Sequence, residues 1–400
     1  MKFEWKKYTL DEVCCRIYSG GTPSTRRPEY WNGDLKWLSS GETSQRFIYD
    51  TERKITQEGV DNSSTKLARK GCTVVATAGQ GYTRGQASYL MTDTYMNQSV
   101  IACEANPDYI LPLFLYYNLD SRYEEFRLLS DGTSTRGGLS GWILKRMDIK
   151  LPPLSEQKKI ISILEHIDRK IEINVKINEN LAEQTQGILS YFMKQYQYQL
   201  QPLSDIADVI DCLHSKKPSA VADSAYQLIQ LDNIRDDGFL DMSACKYMIS
   251  QDDYKNWTRK CEISEGDCVI TNVGRIGAVS QAPYGTRAAM GRNMTCIRLK
   301  TGLQLQAYFI TVLLSNHMGR QIQYNTDEGT IMGALNVKNI PKLLFPIFES
   351  SVMSDLETIL FPLRKKIEYN NLQNQNLAQL RDALLPRLMS GELDVSGLDI

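Results

Sequence analysis

Histidine is scarce in this chain, which has three, and its nine cysteines stand singly apart from Cys14-Cys15, with no CxxC pair. A zinc site built from paired thiols is therefore not expected, and an odd number of scattered cysteines suits reduced thiols in a cytoplasm better than a disulfide framework. No apolar stretch is long enough to cross a bilayer. The longest, Tyr109 to Leu119, is interrupted by Pro112 and Asn118, falls far short of the ~20 residues required, and reads as a buried helix. The opening Met1-Lys2-Phe3-Glu4-Trp5-Lys6-Lys7 offers charge but no apolar segment for a secretion apparatus, so export is not expected. Net charge is missing too, at −1, and composition alone lends no support to nucleic-acid binding, whose affinity comes largely from Lys and Arg on the contact face. What is present, 42% apolar and 23% charged residues, is the profile of a folded protein, and 400 residues is more than one core usually organises.

The chain is written twice. Late in each half, Ile163-Leu164 corresponds to Ile359-Leu360, Lys170-Ile171-Glu172 to Lys366-Ile367-Glu368, Asn174 to Asn370, Asn178 to Asn374, Asn180-Leu181 to Asn376-Leu377, Leu189 to Leu385 and Met193 to Met389, all at one offset without a gap. Earlier the halves drift by a few residues but keep their punctuation. Leu10 to Val13 parallels Leu203 to Ile206, Gly71-Cys72-Thr73-Val74-Val75 parallels Gly266-Asp267-Cys268-Val269-Ile270, and Gly132-Thr133 parallels Gly329-Thr330. Chance likeness of amphipathic helices explains matched leucines but not matched asparagines in a constant frame.

From Leu154 to about Tyr196 there is no proline and a single glycine, Gly187, so a long helix is expected, with Ser155 as N-cap and Pro152-Pro153 stopping anything upstream. Ile160, Leu164, Ile167, Ile171, Leu181, Ile188 and Phe192 fall on one alternating four-then-three series, and Leu356, Leu360, Leu363, Ile367, Leu377, Leu384 and Leu388 repeat it. Asn174 and Asn178, then Asn370 and Asn374, sit on those seams. A seam asparagine costs stability but fixes register, which argues for two helices packed on each other; the bland alternative is that the asparagines face solvent. Pro362 predicts a kink or a late start of the second helix, and Pro386 predicts fraying beyond it. Each helix would extend about 57 Å, long enough to be a spacer.

The globular halves mix short apolar runs with glycine-rich turns. Val74-Val75-Ala76, Ser99 to Cys103, Cys268-Val269-Ile270 and Met294 to Leu299 read as strands, and Leu111 to Leu129 and Gln306 to Gln323 as helices, giving a mixed α/β domain in each half. Ala78 to Gly85 and Asn272 to Gly277 are glycine-rich, yet neither carries a P-loop ending nor opens a dinucleotide-binding unit. A hairpin-like turn presenting Tyr82 and Arg84, or Arg275, suits a DNA groove better. Asn106-Pro107-Asp108-Tyr109 is similar to the base-gripping loop of amino-methyltransferases but lacks its second proline and a cofactor site, so it reads as the lead-in to a helix. No catalytic constellation stands out.

Ser19-Gly20-Gly21-Thr22-Pro23-Ser24, followed by Glu29-Tyr30-Trp31-Asn32-Gly33-Asp34-Leu35-Lys36-Trp37-Leu38-Ser39-Ser40-Gly41, resembles the opening of a target recognition domain of type I restriction-modification specificity subunits. Leu151-Pro152-Pro153-Leu154-Ser155-Glu156-Gln157-Lys158-Lys159-Ile160 resembles that family's lead into its long helix, and Leu384 to Leu393 its tail. The second half departs from the pattern, with Phe345-Pro346-Ile347-Phe348-Glu349-Ser350 before its helix and no Gly-Gly-Thr-Pro-Ser opening. The resemblance implies an α+β fold: two mixed α/β target recognition domains joined by two long antiparallel coiled-coil helices with pseudo-twofold symmetry. The domains are expected at 1–153 and 201–349, the first spacer helix at 154–200, and the second with the C-terminal tail at 350–400.

The resemblance also implies a non-catalytic reader of an interrupted target in double-stranded DNA. Two methylase subunits are the implied partners, with restriction subunits as further candidates, and no membrane is involved. No cofactor or metal is expected on this chain, S-adenosylmethionine belonging to the methylase. Arg26, Arg27, Lys66, Tyr82, Arg84 and Arg136 are the candidates for DNA contact in the first domain, and Lys216, Lys217, Arg275, Arg287, Arg292 and Lys338 in the second. The rival readings are a DNA methyltransferase or fused restriction enzyme with its own active site, and a coiled-coil assembly protein without DNA.

Overall fold

A computed structural model of the chain describes residues 4–79, 81–131, 138–244, 247–327 and 333–398. It divides into two compact units, Met1–Arg169 with Ala378–Ile400, and Lys170–Leu377.

The first unit opens with β1 (Lys6–Thr9), the single turn α1 (Leu10–Val13) and β2 (Cys14–Ser19). A capping box starts the turn, the Glu12 carboxylate accepting from the Thr9 main-chain N–H at 2.6 Å. β1 pairs antiparallel with β11 (Asp148–Leu151). A five-stranded sheet runs β2, β10 (Val100–Ala105), β7 (Thr73–Ala76), β8 (Ala87–Leu90), β4 (Phe47–Ile48). A four-stranded sheet runs β5 (Arg53–Ile55), β3 (Trp31–Leu38), β9 (Thr94–Met96), β6 (Lys66–Ala68), with β3 and β9 parallel. Thr73 to Ala76 and Val100 to Cys103 are buried at every position, so both faces of these central strands are covered and neither shows an apolar-polar alternation.

Around the sheets lie α2 (Gln57–Asp61), α3 (Pro112–Asp120), α4 (Tyr123–Asp131) and α5 (Gly141–Lys145). The single helix expected over Leu111 to Leu129 is two. At the break Ser121 Oγ donates back to the Asn118 carbonyl at 2.7 Å, while Arg122 clamps Glu125 through bonds of 2.7 and 2.8 Å and begins a new helix.

The second unit repeats the plan. β12 (Tyr198–Pro202), α7 (Leu203–Ile206) and β13 (Ala207–Asp211) follow one another, and β12 pairs with β23 (Leu344–Phe348). One sheet runs β13, β20 (Met294–Leu299), β17 (Cys268–Thr271), β18 (Val279–Gln281). The other runs β15 (Met248–Ile249), β14 (Tyr226–Ile229), β19 (Arg287–Met290), β16 (Glu262–Ser264), with β14 and β19 parallel as β3 and β9 are. The counterpart of β4 is reduced to one parallel bridge, Phe239 to Gln281. A short hairpin, β21 (Thr326–Asp327) with β22 (Ala334–Leu335), and α8 (Gln251–Trp257) complete the sheet side. Here too the helix expected over Gln306 to Gln323 is two, α9 (Gln306–Leu313) and α10 (Asn316–Tyr324), because Ser315 caps the second by accepting from Met318 N at 3.3 Å.

Each long helix is shared by the two units. α6 runs Leu154–Gln195 and α11 runs Ser350–Met389. Ile160 and Leu164 of α6, with Leu385, Leu388 and Met389 of α11, join Leu10, Val13 and Phe114 in the first unit's core. Leu356 and Leu360 of α11, with Leu189 of α6, join Leu203, Phe309 and Phe345 in the second. These are the positions that the sequence repeat pairs, so each core takes one helix start and one helix end. Each buried Leu contributes roughly 1.5–3 kcal/mol of transfer free energy.

Two expectations about the helices are corrected. α6 begins at Leu154, with Pro153 O accepting from Glu156 N at 2.9 Å, so Ser155 lies inside the first turn and is not its cap. α11 has no late start: it begins well before Pro362 and continues through it, since Pro362 and the Thr358 residue whose carbonyl it leaves unbonded are both exposed to water. Among the described residues no helix is long and apolar enough to cross a membrane.

Candidate nucleic-acid interface and its helical support

In the second unit the seam of α6 and α11 is closed by amides. Asn174 Nδ2 donates to Asn374 Oδ1 and to Gln373 Oε1, each at 2.8 Å. Asn370 Nδ2 donates to Asn178 Oδ1 at 2.8 Å, and Asn178 Nδ2 to Asn371 Oδ1 at 3.2 Å. As numbers rise along α6 they fall along α11, so the pair is antiparallel. Asn174, Asn178 and Asn370 are buried and Asn374 is half-buried, which excludes the solvent-facing alternative. Asn174 Oδ1 and Asn370 Oδ1 have no hydrogen-bond partner among the described residues, a cost that repeats at equivalent positions.

The alternating series also passes through Thr185 and Arg381, polar seam positions that the sequence analysis did not single out. Thr185 is buried and its hydroxyl donates to the Ala182 carbonyl at 2.8 Å. Arg381, in the first unit, donates to Asp168 Oδ1 at 2.9 Å, and both are buried. Asp168 Oδ2 accepts from Tyr117 Oη at 2.9 Å and lies 3.5 Å from Arg46, which also donates to Asp120 at 2.8 Å. Burial works against the Arg46 charge, but Tyr116, Asp120 and Asp168 more than restore it, so the guanidinium is held charged. Burial pushes the Asp120 carboxyl up against the pull of Arg46.

Arg46 and Arg381 open onto a cleft of about 480 Å³ that Tyr82, Gln86, Asp120 and Tyr123 also line. Tyr82 stands at its rim, 83% exposed, on the turn between β7 and β8. The corresponding turn in the second unit joins β17 to β18, so both glycine-rich segments are hairpin turns, as their sequence suggests. Gly85 and Gly277 close them at φ 90 and 77, their amides donating to Ala76 O at 2.8 Å and Thr271 O at 2.9 Å. Arg127 donates to Gly81 O at 2.7 Å and Tyr123 to Tyr82 O at 3.0 Å, which fixes the first turn by its main chain and leaves the Tyr82 ring free to contact a ligand.

Lys66 lies on a second feature, a groove of about 660 Å³ along the edge strand β2. Arg16, Arg69 and Lys145 line it as well, with Asp11, Cys15 and Tyr18. These three cations were not among the sequence candidates. Arg16 and Tyr18 are two apart on one strand face, with the guanidinium 4.9 Å from the ring centre, an alternation that could have drawn notice. Burial lifts the Tyr18 phenol to about 12, so it stays a donor at neutral pH, bonded to Leu67 O at 3.0 Å.

The remaining candidates are dispersed. Arg26 and Arg27 are exposed, Arg27 lying 3.4 Å from Glu29, and Arg84 is half-buried. Arg136 lies outside the described residues. Lys216 and Lys217 are exposed, Lys217 Nζ lying 3.8 Å over the Tyr247 ring. Arg275 is exposed but engaged, donating to Ile234 O at 2.6 Å and paired with Asp236, in a cleft also lined by Asp232, Asp237 and Glu179. Arg287, Arg292 and Lys338 are all exposed, Arg287 pairing with Glu262 at 3.1 Å. Asn106 forms a turn, its Oδ1 accepting from Asp108 N at 3.1 Å, and so leads into α3.

A duplicated mixed sheet domain on an antiparallel helix pair defines a class, and comparison with known proteins names it. Residues 2–183 match the family described as type I restriction modification DNA specificity domain. The MjaIX specificity subunit of Methanocaldococcus jannaschii is 24% identical over 96% of this chain and 92% of its own length. The EcoR124I/EcoR124II specificity subunit of Escherichia coli is 28% identical over 49% of this chain and 46% of its own length. The crystal structure of a type I restriction-modification S subunit from M. genitalium shares the fold, with a TM-score of 0.55 at 16% identity over 97% of this chain and 96% of that one. Residues 2–183 thus match the DNA specificity domain of type I restriction-modification systems, and nearly the whole chain is similar to a specificity subunit of that class.

Proposed function

We propose that the chain reads an interrupted target in double-stranded DNA, one part per globular domain, with α6 and α11 setting the gap between the parts. The observation that carries this reading is the strand order that the two domains share apart from β4, each domain rooted by the same repeat positions in the same helix pair. A duplicated reader on a shared stiff support suits two half-sites about one helical turn, roughly 34–36 Å, apart. In the first domain the Lys66 groove supplies phosphate contacts and the Tyr82 turn reaches toward bases. In the second, exposed Lys216, Lys217, Arg292 and Lys338 take the phosphate role.

The chain itself is non-catalytic and directs two methylase subunits and, where present, restriction subunits; S-adenosylmethionine binds the methylase. It works in the cytoplasm, which suits its eight described cysteines, all free thiols. The test is an exchange of residues 1–153 for the equivalent domain of another specificity subunit, followed by mapping of methylated sites. One half of the target should change and the other remain. A change in both halves, or in neither, would refute the proposal.

A further inference from the structure

Two clusters of metal-ligating side chains stand apart from the seam and the basic groove. Cys261, Asp267 and Cys296 bring their ligand atoms within 4.8 Å of one another, and so do Asp211, Cys212 and His214. The first cluster already holds a cation. Arg298 donates to the two Asp267 oxygens at 2.7 and 2.6 Å and to Cys261 Sγ at 3.6 Å, so a guanidinium occupies the place an ion would take.

In the second cluster no side-chain cation among the described residues fills that place. His214 Nε2 lies 2.7 Å from Asp211 Oδ2, while Asp211 Oδ1 is buried with no hydrogen-bond partner among the described residues. Cys212 is 2% exposed. Its Sγ lies within 4.8 Å of the Asp211 and His214 ligand atoms. The neighbouring ammonium of Lys260 is directed to the Cys212 carbonyl, at 3.3 Å, and not to the carboxylate.

We propose that Asp211, Cys212 and His214 form a binding site for a zinc-class divalent cation. One thiolate, one imidazole and one carboxylate are a three-ligand tetrahedral set that leaves the fourth position to water. Binding releases the Cys212 thiol proton to solvent and involves no change of oxidation state. His214, whose side chain is 68% exposed, stands on the solvent side and gives the ion a way in. The ion pins the end of β13 and the first residues of the segment that carries Lys216 and Lys217. Sequence alone argued against zinc because paired thiols are missing, and Asp-Cys-x-His is too short a pattern to stand out.

The full-length chain, stripped with a chelator, is titrated with Co²⁺ and then with Zn²⁺ against a chromophoric competitor. The site predicts one equivalent of Co²⁺ with a thiolate-to-cobalt charge-transfer band that Zn²⁺ displaces. Cys212→Ser abolishes the band and His214→Gln lowers affinity by about tenfold or more. Cys15→Ser, which alters an exposed thiol, changes neither. Absence of the band at one equivalent, or its survival in Cys212→Ser, overturns the proposal. If Cys212→Ser does not fold, His214→Gln decides: unchanged affinity overturns the site.

Discussion

Asn174 donates an amide hydrogen to Asn374 at 2.8 Å, and the repeat maps that contact onto Asn370 donating to Asn178 at the same 2.8 Å. The swap is what a local twofold across the helix pair requires. It makes the asparagines a register device: sliding one helix along the other would bury four amides without acceptors.

Removing one side of this device should cost more than removing both. Asn174→Ala strands the Asn374 and Gln373 acceptors and is expected to destabilise the chain by about 1–3 kcal/mol in chemical denaturation. Replacing Asn174, Asn178, Asn370 and Asn374 together with Leu should restore or raise stability while loosening register, seen as loss of a single species in light scattering. A stable, monodisperse fourfold variant would show that register is fixed elsewhere.

The Asp168–Arg381 pair should behave as a buried salt bridge with further hydrogen bonds. Asp168→Asn or Arg381→Met alone leaves an uncompensated charge among Arg46, Asp120 and Tyr117 and is expected to cost about 3–5 kcal/mol. A double-mutant cycle should recover part of that loss, and strictly additive losses would deny the coupling.

Glu262 provides a pH handle. Tyr254 and then Arg287 hold its carboxyl below the usual carboxylate range, with burial opposing them. A lowered native pKa means its contribution is complete above the unfolded value and is lost as pH falls through the native one. Glu262→Gln should therefore lower the unfolding midpoint at neutral pH and flatten its decline on acidification. An acid limb identical to that of the unmodified chain would contradict this.

Lys66→Ala and Lys145→Ala test the β2 groove. If each touches a phosphate, each should weaken DNA binding by the chain with the proposed methylase partners equally for all sequences and reduce the salt-dependence slope by about 1. A change in sequence preference instead would mark the residue as a base reader.

Much of this organisation was legible in the sequence because it rests on long patterns. Val74-Val75-Ala76 and Val100 to Cys103 are central strands with no polar face to obscure them, and the seam of α6 and α11 repeats over many turns. What escaped depends on single residues or on chain segments that meet only after folding. Ser121 and Ser315 end helices whose apolar patterns continue through them. Arg381 reads as a surface charge because Asp168, its counterpart, lies one position off the seam. The basic groove draws Arg16, Lys66, Arg69 and Lys145 from three separate stretches, and only the sheet brings them together.

The spacer role is tested most directly by inserting seven residues after Leu181 and after Leu377, equivalent positions of the repeat, which lengthens each helix by about 10 Å. Methylated sites are then mapped for the complex that carries this chain. The spacer role predicts that both half-sequences persist while the gap between them changes. An unchanged gap with both half-sequences intact would contradict it.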